Sequence, residues 1–417
     1  QCYGIIEASD IEEVVDIAAG FSYHGRNLPM GKRVGITTAS GGGGGWMADM
    51  CVAAGLEVPE LDPDTRATID EHLPAYGTSQ NPIDATAQAV RALGYAGLAR
   101  MAAKSDVLDA IITVASCRNP TILEREREAW IELASDVDKP LLFCSYTQPH
   151  EVSAEILGRA GVPLYGNMAN CARTMAEMAD YRQLRERFLT APKIQSNDVH
   201  IRDKVASQLA KAGPVLCEYE VKPLLASYGI PVGEEQLAVS ADAAVDFAKK
   251  IDGPVALKIQ SPDILHKTEA GGLDLNLQGD DDVRNGYDRV MAAATVRTHG
   301  VLVQPMAPGG HEMILGINHD ATFGPMLMLG FGGIHVEVDP DVALSSVPMD
   351  RTAAEDLLNR LRGRAVLDGV RGEAAADIDA LLDLVVKLSI FAADHGGVIG
   401  ELDLNPVLVH GKGKGGQ

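Results

Sequence analysis

The sequence predicts a doubly wound, parallel α/β domain at residues 1–190, followed by an α+β domain at residues 215–417. A length of 417 residues exceeds what one hydrophobic core usually holds. In the first half, apolar strand-length runs alternate with helical patterns, which is typical of parallel sheets. After a polar linker at 191–214, strands occur in pairs joined by Gly- and Asp-rich turns, which is typical of antiparallel sheets.

The first half begins with a helix that Asp10 caps, and then repeats strand and helix. The predicted strands are 33–39, 110–115, 140–146 and 162–165, and the predicted helices after them are 46–54, 124–134, 151–159 and 169–187. Gly55 is placed to end the first of these helices. Because a strand, a crossover helix and a second strand normally give parallel pairing, we expect a flavodoxin-like domain.

The second half begins with a helix at 218–227 that ends near Gly229. The predicted strands are 255–259, 272–277, 300–304, 313–317, 326–329, 336–338 and 400–404, and two helices are predicted at 352–363 and 374–395. The chain begins at Gln1, and it ends in a Gly- and Lys-rich segment just after an apolar run. Both ends are therefore expected to be cut ends of a longer protein.

Composition excludes several classes of function. A net charge of −22 disfavours non-specific binding to nucleic acid or to an anionic membrane. The sequence shows no apolar stretch long enough to span a bilayer and no signal peptide, so we expect a cytoplasmic protein. The six cysteines are scattered without C-x-x-C spacing, which suggests reduced thiols and neither a zinc site nor a disulfide framework.

Lys258 is the single charged residue in the apolar strand 254–259. A buried ammonium requires an anionic partner, and a nucleotide phosphate is one candidate. A lysine that extends to solvent from a strand edge is the other interpretation.

The segment after this strand is a polar loop that carries His266 and ends at Gly271 and Gly272. Glycines allow backbone N–H groups to approach phosphate oxygens closely. His266, with Lys267 beside it, is a candidate for phosphate chemistry, although a lone histidine is more often structural.

Two more segments carry candidate ligands. Gln304 and Met306 stand where a strand enters a Pro-containing connector, which suits contacts with an adenine ring but is also an ordinary strand exit. Glu401, Asp403 and Asn405 alternate along an apolar strand, so their oxygens share one face, as Mg²⁺ prefers. Alternating polar residues can equally form a solvated face.

Taken in this order, these segments resemble the ATP-grasp domain of ADP-forming acyl-CoA synthetases, relatives of succinyl-CoA synthetase. The resemblance rests on "CEYEVKPLLASYGIPV", "ALKIQSPDILHKTEAGGLDLNL", "VLVQPMAPGGHEMILG", "HDATFGPMLMLGFGGIHVEV" and "GELDLNPVLV". Upstream, the segment from "GKRVGITTASGGGGGW" to "SQNPID" resembles the family's flavodoxin-like ligase domain. The resemblance covers nearly the whole chain.

The resemblance implies the reaction of an acid, CoA and ATP to acyl-CoA, ADP and phosphate, through an acyl phosphate and a phosphohistidine. It assigns ATP phosphates to Lys258, a mobile histidine to His266, the adenine border to Gln304 and Met306, the triphosphate to Glu312, and Mg²⁺ to Asp403 and Asn405. Nucleotide and a small carboxylic acid are the implied ligands, and a homo-oligomer is implied for the full-length protein.

This sequence also departs from the family pattern. The N-terminal CoA-binding domain and the segment with the main phosphohistidine have no counterpart here, so CoA is expected to bind outside this chain. The family's "SGGPG" loop reads Ser40, Gly41, Gly42, Gly43, Gly44 and Gly45, followed by Trp46. It opens a helix and could hold a carboxylate or acyl phosphate, or it could be a tight packing turn.

Trp46 and Met47 could line an acyl pocket or belong to the helix core, and Trp46 suggests an aromatic acid. Two other functions stay open: a different ATP-grasp carboxylate ligase, and a catalytically silent synthetase-like region fused to a protein acyltransferase.

Overall fold

The structure is a computed structural model that describes residues 4–190, 194, 198–264, 271–333, 341–369, 374–413 and 415. The chain divides into two compact units, Gln1–Pro192 and Lys193–Gln417. Among the helices of the described residues, none is sufficiently long and apolar to cross a membrane.

The first unit is a parallel sheet with helices on both faces. Its elements are α1 (Ile11–His24), β1 (Val34–Thr38), α2 (Gly41–Ala53), α3 (Pro63–Asp70), β2 (Ile83–Asp84), α4 (Thr86–Ala103), β3 (Ala110–Ala115), α5 (Thr121–Arg125), α6 (Arg127–Asp136), β4 (Leu141–Ser145), α7 (Glu151–Ala160), β5 (Leu164–Tyr165) and α8 (Met168–Thr190). The strand order β2-β1-β3-β4-β5 is all parallel and is the flavodoxin-like order. The α/β prediction is therefore confirmed.

Side-chain alternation along β3 shows why this sheet is buried on both sides. Ile111 belongs to one hydrophobic cluster, whereas its neighbours Ala110 and Ile112 belong to another. Because successive side chains point to opposite faces, each face needs its own covering helices. This explains the nearly continuous apolar runs in the sequence.

The predicted glycine loop after β1 is wrong, because those glycines are helical. Helix α2 begins at Gly41, and the Ser40 hydroxyl oxygen caps it by accepting from the Gly43 N–H at 3.3 Å. A Cβ on Gly44 would lie 3.0 Å from side-chain carbons of Thr38 and Pro82. Close packing therefore favours glycine at position 44, and an N-cap offsets part of the low helix propensity of the run.

The second unit contains two antiparallel sheets. Its elements are α9 (Val199–Leu209), α10 (Glu218–Ser227), β6 (Gln236–Ala238), α11 (Ala241–Ala248), β7 (Val255–Gln260), β8 (Leu273–Leu277), α12 (Asp280–Ala292), β9 (Gly300–Pro305), β10 (His311–Asp320), β11 (Gly324–Phe331), β12 (Val342–Ser346), α13 (Arg351–Asn359), a short 3₁₀ helix (Arg364–Asp368), α14 (Ile378–His395) and β13 (Glu401–Val409). The sheets have the orders β6-β9-β7-β8 and β12-β11-β10-β13.

This arrangement confirms the α+β prediction, but several elements end at other residues, and β6, α11, α12 and β12 were not predicted. The last strand continues to Val409, beyond the predicted 404, since its pairing with β10 extends along most of that strand. Helix α14 begins at Ile378, where Asp377 caps it, and not at residue 374. The predicted strand at 336–338 lies outside the described residues.

Candidate active site

Lys258 lies in the middle of β7, between β8 and β9, where it pairs with Leu273 and Leu302. Its side chain is half-buried, with 24% of its surface exposed, and Nζ lies 3.2 Å from Oε1 of Glu218. Glu218 is the first residue of α10. An ammonium at this depth thus has an anionic partner within the protein, as its position in an apolar strand requires.

A second lysine shares the same carboxylate. Lys222, one turn further along α10, lies 2.8 Å from Glu218 and also contacts Glu235. Burial acts to lower the pKa of Lys222, but Glu218 and Glu235 outweigh it and raise the pKa. The result is a fixed group of two cations and two carboxylates next to the centre of the sheet. In sequence, Glu218 looks like an ordinary acidic residue in a first helical turn, so sequence analysis missed it.

The loop between β7 and β8 carries the predicted phosphate ligands. His266 lies outside the described residues. Gly271 is exposed and has φ +70°, a backbone conformation that favours glycine. Gly272 is buried, and its carbonyl accepts from the Ile259 N–H at 2.8 Å. Gly272, just before β8, is therefore hydrogen-bonded to Ile259, the residue that follows Lys258.

Gln304 and Met306 lie at the end of β9, and both are half-buried. Gln304 pairs with Ala256, and the Met306 N–H donates to the Pro254 carbonyl at 2.9 Å. The Met306 N–H is therefore engaged in pairing, so it is not the group that would donate to an adenine ring at this position.

Three oxygen-bearing side chains lie together on β13. Glu401, Asp403 and Asn405 are exposed, whereas the residues between them are partly covered. Although Asp403 as a whole residue is exposed, its carboxyl group is partly withdrawn from solvent, and this burial, with the charge of Glu401 as a second cause, raises the pKa of Asp403. A cation would relieve this repulsion, and carboxylate and amide oxygens are ligands that suit Mg²⁺.

Glu312 lies on β10, the strand next to β13, where it pairs with Leu408. Its carbonyl accepts from the Gly332 N–H at 2.7 Å. Its carboxylate lies so near Gly333 that a Cβ there would be 3.3 Å from Oε2, and Gly333 has φ +86°. The glycine pair after β11 therefore lies beside Glu312, a juxtaposition that the sequence analysis did not predict.

In the first unit, a cavity of about 270 Å³ lies beyond the ends of β4 and β5. Its lining comprises Trp46, Met50, Tyr146, Gly166, Asn167, Met168 and Ala169. Trp46 is 57% exposed, whereas Met47 is fully buried in the core. The structure thus separates the two residues that the sequence had placed together as possible pocket residues.

The cavity adjoins the start of α2. A Cβ on Gly43 would lie 3.6 Å from Cδ1 of Tyr146, so the capped helix start and the aromatic lining are neighbours. Gly42 has no neighbouring atom within 4 Å of such a Cβ, whereas Gly41 faces the Asp84 carboxylate at 3.0 Å. An anion at this N-terminus would approach from the side of Gly42 and Gly43.

Comparisons with known proteins match both units. The family described as a Ligase-CoA domain matches residues 34–155, and the family described as an ATP-grasp domain matches residues 207–414. The beta subunit of the ADP-forming acetate–CoA ligase II of Pyrococcus furiosus is 38% identical over 212 residues, which are 50% of this chain and 90% of that protein. The chain therefore belongs to the family of ADP-forming acid–CoA ligases.

Two longer relatives align with nearly the whole chain. The ADP-forming acetate–CoA ligase I of Archaeoglobus fulgidus is 31% identical over 418 residues, covering 98% of this chain and 59% of that protein. A trans-feruloyl-CoA synthase of an unknown prokaryotic organism is 31% identical over 431 residues, covering 99% of this chain and 58% of that protein. The chain thus spans less than two thirds of these relatives. Because this chain is equally identical to a relative named for acetate and to one named for ferulate, sequence identity does not distinguish between these two acids as substrates.

Proposed function

We propose that this chain is the ATP-using part of an ADP-forming acid–CoA ligase. The overall reaction converts an acid, CoA and ATP to acyl-CoA, ADP and phosphate. The observation that carries the proposal is Lys258, a half-buried ammonium on the central part of a sheet that lies in the ATP-grasp region. Its carboxylate partner Glu218 is shared with Lys222, so a phosphate can take over Lys258 while Glu218 stays paired.

The nucleotide would lie between the two sheets of the second unit. Lys258 would bind its phosphates together with the backbone at Gly271 and Gly272. The side chains of Gln304 and Met306 would border adenine, and Glu312 would face the triphosphate. Asp403 and Asn405 would hold Mg²⁺, which neutralises phosphate charge when bound.

His266 would relay the phosphoryl group. A neutral ring nitrogen of His266 would attack the γ-phosphorus of ATP as the bond from that phosphorus to the β–γ bridging oxygen breaks and ADP leaves. The phosphoryl group would pass from His266 to the main phosphohistidine, and from there to an oxygen of the substrate carboxylate, giving an acyl phosphate. CoA thiolate then attacks the acyl carbon and releases phosphate. The CoA site and the main phosphohistidine would lie in regions that correspond to the part of the longer relatives that this chain does not cover. The full-length protein would be a homo-oligomer.

We place the acid in the first unit. Its carboxylate would bind at the start of α2, beside Ser40, and would accept from the N–H of Gly42, because the Gly43 N–H already donates to the Ser40 hydroxyl oxygen. Its hydrocarbon part would occupy the cavity lined by Trp46 and Tyr146. Two aromatic side chains at the cavity favour an aromatic acid.

Calorimetry with the purified chain tests the proposal. We expect Mg·ADP and Mg·ATP to bind with one site per chain, and we expect no acyl-CoA from any acid when CoA and ATP are supplied to this chain alone. Absence of nucleotide binding would exclude the ATP-using role. Formation of acyl-CoA by the chain alone would show that no further region is needed, and the proposal that CoA binds outside this chain would be wrong.

A further inference from the structure

Three potential metal ligands meet where α10 begins. Cys217 is the N-cap of α10, Glu220 is in its first turn, and His299 immediately precedes β9. The Cys217 sulfur, a carboxylate oxygen of Glu220 and a ring nitrogen of His299 all lie within 4.8 Å of one another. None of these residues has a role in the function proposed above.

The distance between the two strongest donors suits a tetrahedral metal. Sγ of Cys217 lies 3.7 Å from Nδ1 of His299. Zinc bound to sulfur at about 2.3 Å and to nitrogen at about 2.0 Å, at a tetrahedral angle, sets these atoms about 3.5 Å apart. The thiol and the imidazole are therefore already spaced as a ligand pair.

Hydrogen bonds orient each ligand before any metal binds. The Cys217 N–H donates to Oε2 of Glu220 at 2.8 Å, and the His299 N–H donates to the Gln260 carbonyl at 2.7 Å. Cys217 is buried, while Glu220 and His299 are partly exposed. A cation can therefore approach from the Glu220 and His299 side and reach the buried sulfur.

Tyr219 completes the surroundings. Its hydroxyl lies 3.1 Å from Nδ1 of His299, and the two rings meet edge to face. In the tautomer with the proton on Nε2, Nδ1 presents its lone pair toward both Tyr219 and Cys217. A metal that takes over this lone pair leaves the Tyr219 hydroxyl positioned to donate to a water in the fourth coordination position.

We propose that Cys217, Glu220 and His299 bind a divalent transition metal of the zinc type, separate from the Mg²⁺ of the nucleotide. Sulfur, imidazole and carboxylate donors suit zinc, whereas Mg²⁺ prefers oxygen ligands alone. On binding, the Cys217 thiol forms a metal–sulfur bond and releases its proton to solvent, without oxidation or reduction. The metal would join the start of α10, next to Glu218, to the start of β9.

Metal titration of the reduced, chelator-treated chain tests this site. Zn²⁺ should bind with one site per chain in competition with a chromophoric chelator, and Co²⁺ should give a thiolate-to-cobalt charge-transfer band. Cys217→Ser should lose that band and bind Zn²⁺ about 100-fold more weakly, since even outer partners of metal ligands contribute about 10–100-fold. Serine is a good N-cap, so the start of α10 is preserved, which thermal unfolding without metal should verify.

Matched variants separate this site from adventitious binding. Cys2→Ser removes a thiol at the terminus, and His319→Asn removes an exposed imidazole of the same unit; both should bind Zn²⁺ like the wild type. Glu220→Gln keeps an acceptor for the Cys217 N–H and should weaken Zn²⁺ binding by about 10-fold. Absence of stoichiometric Zn²⁺ binding, or binding unchanged in folded Cys217→Ser, would overturn the proposal and leave the cluster as a helix cap.

Discussion

Nζ of Lys258, in the middle of a β-strand, lies 3.2 Å from Oε1 of Glu218, the first residue of a helix 40 positions earlier. The same carboxylate contacts Lys222. Replacing Lys258 therefore leaves Glu218 with a cation, and the local fold should survive the change. This arrangement makes Lys258 suitable for a binding experiment.

Lys258→Ala should weaken Mg·ADP binding by about 1–3 kcal/mol, the contribution of a charge-assisted contact to phosphate. This corresponds to about a 5- to 150-fold increase in Kd, measurable by calorimetry. Lys249→Ala is the matched control, because Lys249 is an exposed cation that pairs with Asp280. Unchanged affinity in Lys258→Ala would remove this lysine from the nucleotide site.

His266→Asn should leave ATP affinity nearly unchanged but reduce turnover about 100-fold or more in a full-length protein that contains this chain. Asparagine can hydrogen-bond but has no nitrogen that accepts a phosphoryl group, and His266→Ala should be equally damaging. Wild-type turnover in His266→Asn, from steady-state kinetics, would show that this histidine is only a loop residue.

Lowering the pH should weaken the Mg²⁺-dependent part of ADP binding, because a protonated Asp403 cannot serve as a metal ligand. Burial, and then the charge of Glu401, raise the pKa of Asp403. The ordinary pKa of an aspartate is about 4, so the loss of Mg²⁺-dependent binding should begin at a pH above that value. Titrations with and without Mg²⁺ measure this dependence. Asp403→Asn should abolish the Mg²⁺-dependent part at every pH.

Glu401→Gln tests whether the charge of Glu401 contributes to the raised pKa of Asp403. Removal of the neighbouring negative charge should lower the pKa of Asp403 and shift the loss of Mg²⁺-dependent binding to more acidic pH. An unchanged pH profile in Glu401→Gln, or Mg²⁺ dependence retained in Asp403→Asn, would place the metal elsewhere.

An aromatic acid should change the fluorescence of Trp46, which is 57% exposed and lines the cavity of the first unit. The other tryptophan, Trp130, is 1% exposed and should not respond. Trp46→Ala should abolish the signal and raise the KM of the full-length protein for the aromatic acid by about 2- to 10-fold, the contribution of one aromatic contact. Trp130→Phe should retain the signal. A response that persists in Trp46→Ala would exclude this cavity.

Gly94→Ala should destabilise the first unit by about 2–4 kcal/mol. Gly94 interrupts α4 with φ +76°, and a Cβ there would lie 2.5 Å from Cδ of the buried Glu126. The Ala96 N–H donates to the same carboxylate at 3.1 Å, which restricts its displacement. Denaturant unfolding followed by the emission of buried Trp130 measures the change in this unit.

Gly45→Ala is the opposite control. Gly45 is an exposed residue of α2, and a Cβ added there would meet no atom within 4 Å, so alanine should stabilise the helix by about 0.5–1 kcal/mol. If Gly94→Ala left the free energy of unfolding unchanged while Gly45→Ala increased it, the close approach of Glu126 to Gly94 would not exclude a side chain at position 94.

The sequence by itself determined the two classes of sheet and the polar face of the last strand. Continuous apolar runs followed by helical patterns indicated the parallel sheet, and the alternation of Glu401, Asp403 and Asn405 indicated one polar face on a strand. These predictions succeed because periodicity depends on the local backbone, in which side-chain direction repeats every two or about 3.6 residues.

Only the tertiary structure decided which distant residues meet. Ser40 and the packing at Gly44 place the glycine run inside a helix, although propensity alone favours a loop. Glu218 reaches Lys258, and Cys217 reaches His299 across 82 residues. Such contacts depend on how strands and helices pack, and no local pattern encodes their partners. The anionic partner of the buried lysine and the candidate zinc site are therefore properties of the fold.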